Sequence, residues 1–182
     1  VSIPDADALG PSIEKAVAAG IPVISMNSGS DVARGLGVLL HVGQDEYNAG
    51  ELAGQKLAEM GGKNAICVNH EVGNVALDRR CEGFTAGFGG TVTVLPTSND
   101  PAEIKAKLTA ALTSDETIDT VLALGASLSG EPCVAAVQDL GRGDSVNVAT
   151  FDMSAGFLQA VVDGKAAFAI DQQQYLQGYL PV

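Results

Sequence analysis

Short apolar runs alternate with helical windows along the whole chain, and that rhythm restricts the fold more than any motif does. The runs are Ile21–Met26, Val38–Val42, Ala65–Val68, Thr91–Leu95, Thr120–Leu124, Asn147–Phe151 and Ala167–Ile170. The helical windows are Ala8–Ala19, Tyr47–Met60, Val75–Phe88, Pro101–Thr113, Gly130–Leu140 and Ala155–Val162. Runs that are continuously apolar, rather than alternating with polar residues, belong to a sheet covered on both faces. Strand and helix in regular succession therefore predict an α/β fold with doubly wound parallel sheets. Local punctuation agrees. Ser98 or Asp100 can cap the helix that Pro101 begins, and Gly20, Gly61, Gly141 and Gly164 follow helix ends, where a left-handed residue is wanted. One link breaks the rhythm: "NSGSDVARGLG" has no helical pattern. Two strands in succession suggest a crossover between lobes, with a hinge near Gly43–Asp45.

The 182 residues suit one ordinary domain or two small lobes. Hydrophobic residues make up 46% but aromatic ones only 4%, which predicts a core of Ala, Val, Leu and Ile. A formal charge of −12 argues against nucleic acid as a partner. No apolar run approaches the roughly 18–20 residues that span a bilayer. The opening "VSIPDADALG" has no initiator Met and no basic region before an apolar stretch, so no signal peptide is visible. It reads as the end of a strand in a processed or truncated chain. Cys67, Cys81 and Cys133 have neither zinc spacing nor a disulfide framework. Cys67 reads as a small hydrophobe within its run, and Cys81 and Cys133 as helix residues without an activating histidine.

Ligands of an open parallel sheet bind beyond the carboxyl ends of its strands. Here those ends carry Asn27, Gln44, Asn69–Glu71, Ser98–Asn99, Gly125–Ser127, Asp152 and Asp171–Gln172. Amides and carboxylates of this kind donate and accept, as a neutral polyhydroxylated ligand requires. They include no nucleophile beside its base. "GASLSG" departs from the nucleophile elbow by one residue and reads as a turn with a helix cap from Ser127 or Ser129. His41 and His70 lack partners at diagnostic spacing, no nucleotide-cradling glycine motif occurs, and "RGD" at Arg142–Asp144 reads as a loop. These absences predict a chain that is not an enzyme and uses no cofactor or metal. The crowded stretch "AICVNHEVGNVALDRRCEGF" is either a reactive centre or a binding mouth. Asp78 and Arg79 read as a solvated face, whereas Arg80, four residues from both Ala76 and Phe84, lies beside the buried face.

The ordered segments "PDADALGPSIEKAVAAGIPVI", "HVGQDEYNAGELAGQKLAE", "DRRCEGF" and "VATFDMSAGFLQAVVDGKAAFAIDQQQYLQGY" resemble the periplasmic sugar-binding proteins of the ribose-binding type. These share their core with lac-repressor-like regulators. The resemblance covers essentially the whole chain and implies a type I periplasmic binding protein-like fold, in which two lobes close on a ligand. It implies residues 1–43 as part of a first lobe, 44–172 as a nearly complete second lobe, and 173–182 as a return into the first. The ligand contacts it implies are Arg80, Asp152 and Gln172, with Asn27, Gln44, Glu71, Asn99 and Gly125 by position. It also implies a periplasmic location and a permease partner in an ABC-type importer; the effector core of a regulator is the alternative. The sequence departs from the pattern in four places: Asn27-Ser28 replaces Asp-Arg, Gly125 replaces Asn, Asn99 replaces an aromatic, and Glu71 occupies an apolar position. Those changes open the ligand to another sugar, a polyol, or a molecule whose amino group faces Glu71.

Overall fold

A computed structural model describes residues 1–182. The elements are α1 (Ala6–Ala18), β1 (Ile24–Met26), α2 (Ser30–Ala33), β2 (Leu40–Val42), α3 (Glu46–Glu59), β3 (Asn64–Asn69), α4 (Val75–Phe88) and β4 (Thr91–Pro96). They continue with α5 (Pro101–Ser114), β5 (Thr120–Ala123), α6 (Glu131–Asp139), β6 (Asn147–Phe151), α7 (Ala155–Val162), β7 (Phe168–Ile170) and α8 (Gln174–Tyr179). Strands β3 to β7 form one parallel sheet in the order β4-β3-β5-β6-β7, and β1 and β2 form a second parallel pair. The doubly wound α/β prediction holds.

The central strands present one apolar set to each face. Ile66, Val68, Val121 and Val148 pack with Ile104, Leu108, Val137 and Phe157 on one side. Cys67, Leu122, Ala149 and Phe151 pack with Leu57, Leu77, Phe84 and Phe88 on the other. Composition misled in one respect: Phe84, Phe151 and Phe157 are fully buried and Phe88 nearly so. The phenylalanines are few, but they are concentrated in the core.

Three local expectations are corrected. The link between β1 and β2 contains the one-turn helix α2, too short to show a periodic pattern. Neither Ser127 nor Ser129 caps a helix: Ala126–Gly130 form a π-helical turn that runs directly into α6, with no side-chain cap at either start. Cys67 and Cys81 form a disulfide with a Cα–Cα distance of 5.8 Å, because α4 packs back across β3. The 14-residue separation carries no signal for this. Cys133 is buried, and burial pushes its thiol up to about 12. At the other corner, Arg142 turns inward and donates to the carbonyls of Leu112, Glu116 and Ile118. The "RGD" tripeptide thus serves to close a loop.

Helices α3 and α4 meet backbone to backbone. A Cβ on Gly83 would lie 1.9 Å from the Tyr47 carbonyl oxygen, and one on Gly50 would lie 2.2 Å from that of Arg80. Only hydrogen fits at either place, so these glycines set the close approach of the two helices. That approach brings Glu46 of α3 against Arg80 of α4.

The smaller sheet is thinly built. Ile3, Ile13 and Val23 form its only buried apolar cluster, and Leu39 and Leu40 are exposed. Val1–Ile3 lie alongside β1, with Met26 N–H donating to Val1 O at 2.8 Å and Ile3 N–H to Ser28 O at 3.1 Å. Amide exchange of the chain should therefore be fast at Ile24–Met26 and slow at Thr120–Ala123, since local opening follows buried contact density. Equal protection of the two segments would contradict this packing.

Candidate functional site

Strands β3, β5, β6 and β7 are mutually parallel, so their carboxyl ends share one edge. The residues at that edge form a connected polar series. Gln44 donates from Nε2 to Glu46 Oε2 at 2.6 Å. Arg80 holds the same carboxylate in a fork, through Nε at 2.6 Å and Nη2 at 3.2 Å. Its Nη2 also donates to Gln172 Oε1 at 2.7 Å, and its Nη1 to the carbonyl of Leu124 at 3.2 Å. The guanidinium lies over the Phe151 ring, 4.4 Å from the centroid. Arg80 is 3% exposed and Glu46 5%, so the pair is desolvated and held by several bonds at once.

Gln172 passes the series on. Its Nε2 donates to Asp152 Oδ1, which also accepts from Gln174 Nε2 at 2.7 Å. Its own carbonyl accepts from Gln177 Nε2 at 2.7 Å, and Gln177 Oε1 accepts from Asn27 Nδ2 at 3.4 Å. Asn27 and Asp152 have φ of 62° and 67°, a left-handed conformation that asparagine and aspartate tolerate better than most residues. Each strand end therefore turns sharply, directing its side chain along the edge.

Of the residues expected from the sequence, Arg80, Gln172, Asp152, Gln44 and Asn27 are joined by these bonds. Gly125 lies beside them, with its missing Cβ position 3.8 Å from Asp152 Oδ2. Glu71 and Asn99 stand apart. Glu71 is exposed and accepts from Asn74 Nδ2 at 3.1 Å, within the turn that starts α4. Asn99 is exposed beyond the edge strand β4. Arg80 reaches the strand ends as expected, but four of its five N–H donors go to protein acceptors. Asp78 is half-buried, not solvated, and accepts from Asn69 Nδ2 at 2.7 Å. Arg79 is exposed and bridges Asp31 and Glu82, worth little in water. Val75 N–H donating to Pro4 O at 3.1 Å is a second link between α4 and the residues beside β1.

Sequence reasoning missed Glu46 and Gln177, and placed His70 among the strand ends without naming it as a ligand contact. Glu46 looks like an ordinary first-turn acid after the Asp45 cap, and its partner is 34 residues away. His70 stands at the end of β3, buried, with Nδ1 lacking any hydrogen-bond partner. Burial lowers its pKa; Glu71 raises it, Arg80 lowers it and Asp152 raises it, each by a smaller amount. The polar edge has no nucleophile paired with a base. One pocket, lined by Gly29, Asp31 and Arg79, touches the series at Glu46, and another, lined by Leu112, Asp119 and Arg142, lies apart from it.

The family model for the periplasmic binding protein domain matches residues 1–182. The chain belongs to that family. The crystal structure of a carbohydrate transporter from Acidothermus cellulolyticus 11B, in complex with myo-inositol, is similar at 39% identity with a TM-score of 0.94. All of this chain and 63% of that one are covered. A periplasmic solute-binding protein of an ABC transporter from Actinobacillus succinogenes 130z, with bound D-allose, matches at 25% identity and TM-score 0.77. That match covers 95% of this chain and 64% of the other. A xylose/arabinose-binding protein of Sulfolobus acidocaldarius is 25% identical over 196 aligned positions, covering this whole chain and 49% of that protein. The chain thus spans about half to two-thirds of the length of these relatives. Its architecture is that of the type I periplasmic binding proteins, comprising one lobe and part of another.

Proposed function

We propose that this periplasmic binding protein domain holds a small neutral polyhydroxylated solute, a sugar or cyclic polyol, and delivers it to the permease of an ABC-type importer. The observation that carries this is the hydrogen-bonded series from Gln44 through Arg80 and Gln172 to Asp152, which leaves Asp152 Oδ2 without a protein partner. Such an edge offers hydrogen bonds in fixed directions and no reactive pair, so it binds and does not catalyse. The lobe division at residues 43–44 and 172–173 belongs to the same reading: the crossings fall beside Gln44 and Gln172, so lobe closure would tighten the series around the ligand. The relatives whose structures hold myo-inositol and D-allose support this ligand class.

A location outside the cytoplasm fits the Cys67–Cys81 disulfide, which reducing compartments disfavour. That bond also favours transport over the regulator alternative, since a regulator works in the cytosol. No helix is long and apolar enough to cross a membrane, so the membrane partner would be a separate chain.

Thermal unfolding of the full chain against sugars, cyclic polyols and amino sugars tests the proposal. A true ligand at 100 times its Kd should add about 2.7 kcal/mol and visibly raise Tm. Stabilisation by anionic or phosphorylated compounds only, or by none at millimolar concentration, would overturn it.

A further inference from the structure

We infer that His70 is a specificity-determining contact of the cleft, and that with Asp152 it clamps one ligand hydroxyl in the space above Gly125. This rests on the polyol reading of the cleft and adds to it a residue and a required hydroxyl. His70 is 9% exposed, and its buried Nδ1 has no partner, which leaves Nε2 as the ring nitrogen open to a ligand. The other edge of the ring borders Gly125. A Cβ at Gly125 would lie 3.2 Å from His70 Cε1, 3.5 Å from Nε2 and 3.8 Å from Asp152 Oδ2.

Glycine is not required at 125 by the backbone. Its φ of −167° and ψ of 133° are extended values open to any residue. What the missing side chain provides is room beside the imidazole. An atom entering that room meets two unengaged groups. Asp152 Oδ1 is occupied by Gln172 and Gln174, whereas Oδ2 has no protein partner. A bare buried Nδ1 is better tolerated than an orphaned N–H, so the proton is assigned to Nε2. Nε2–H then donates towards the space where Oδ2 accepts.

A hydroxyl satisfies both groups at once, accepting from Nε2–H and donating to Oδ2. An ether or carbonyl oxygen can only accept and would leave Oδ2 unpaired, and a carboxylate would face Asp152 directly. The charged neighbours of the imidazole are Glu71, Arg80 and Asp152, and burial outweighs them in keeping the ring neutral near pH 7. The clamp therefore selects for one free hydroxyl at a defined ring position.

Calorimetry with myo-inositol and its monodeoxy analogues, on the full chain and on His70→Phe, tests this. Phenylalanine retains a ring but removes both nitrogens. Affinity for myo-inositol should fall about 10- to 100-fold in the variant. One analogue should lose a similar factor in the unaltered protein and nothing further in the variant. A change below about twofold, or equal variant losses for every analogue, overturns the clamp and leaves the polyol reading intact. Failure of the unaltered chain to bind myo-inositol or any monosaccharide overturns both. Should His70→Phe not fold, proton NMR of the unaltered chain decides. With only two histidines to assign, the His70 Cε1–H resonance should move on saturation with the bound polyol; an unmoved resonance overturns the clamp.

Discussion

Arg80→Ala is expected to destabilise the chain by roughly 3–5 kcal/mol, the cost of leaving one partner of a buried ion pair uncompensated. Glu46, 5% exposed in the unaltered protein, would be deprived of its only cation and of two charge-assisted bonds. Gln172 Oε1 and the Leu124 carbonyl would each lose a donor, and Phe151 would lose the cation above its ring. Denaturant unfolding measures the total. Replacing both partners, as Arg80→Met with Glu46→Leu, should cost less than Arg80→Ala alone, because it leaves no buried charge. A single-variant loss under about 1 kcal/mol would mean that water reaches Glu46. The expected loss of folded protein also means that binding data on Arg80→Ala must be normalised to its folded fraction.

Breaking the Cys67–Cys81 bond should cost about 3 kcal/mol, the loop-entropy value for a closure of this length. The bond joins the middle of β3 to α4 one residue after Arg80, so its loss loosens the helix that carries the central cation. Cys67→Ala with Cys81→Ala, or reduction of the unaltered protein, should lower Tm clearly. Thiol titration in denaturant should give one thiol without reductant and three with it, Cys133 being the free one. An unchanged Tm after complete reduction, confirmed by three titrated thiols, would contradict the stabilising role.

The fold was legible because each strand–helix unit carries its own local signals. Val75–Phe88 and Ala155–Val162 match the helices residue for residue, since Asn74 and Ser154 cap them from the sequence position immediately before. The smaller sheet was over-read: Ile21–Met26 and Val38–Val42 shrink to three paired residues each. Apolar character marks where a strand could form, whereas pairing needs a neighbour in register.

The site was legible where it lies at strand ends and illegible where it depends on tertiary approach. Asp152 follows β6 directly, and Gln172 comes two residues after β7. Glu46 meets Arg80 only because Gly50 and Gly83 let two helices touch, and nothing near either charge signals the pair. Glu71 and Asn99 show that a strand-end position alone does not bring a residue into the series. Both follow strands, yet the first is held within its own turn and the second lies beyond the edge of the sheet. The disulfide was invisible for the same tertiary reason.

Amide shift mapping during titration with the most stabilising polyol tests the central claim most directly. Gly125, Asp152, Gln172 and Asn27 should move together on saturation, while Asn99 stays fixed. Shifts gathered instead around Leu112, Asp119 and Arg142, where a basin opens at the other end of β5, would contradict a cleft built on the Arg80 series.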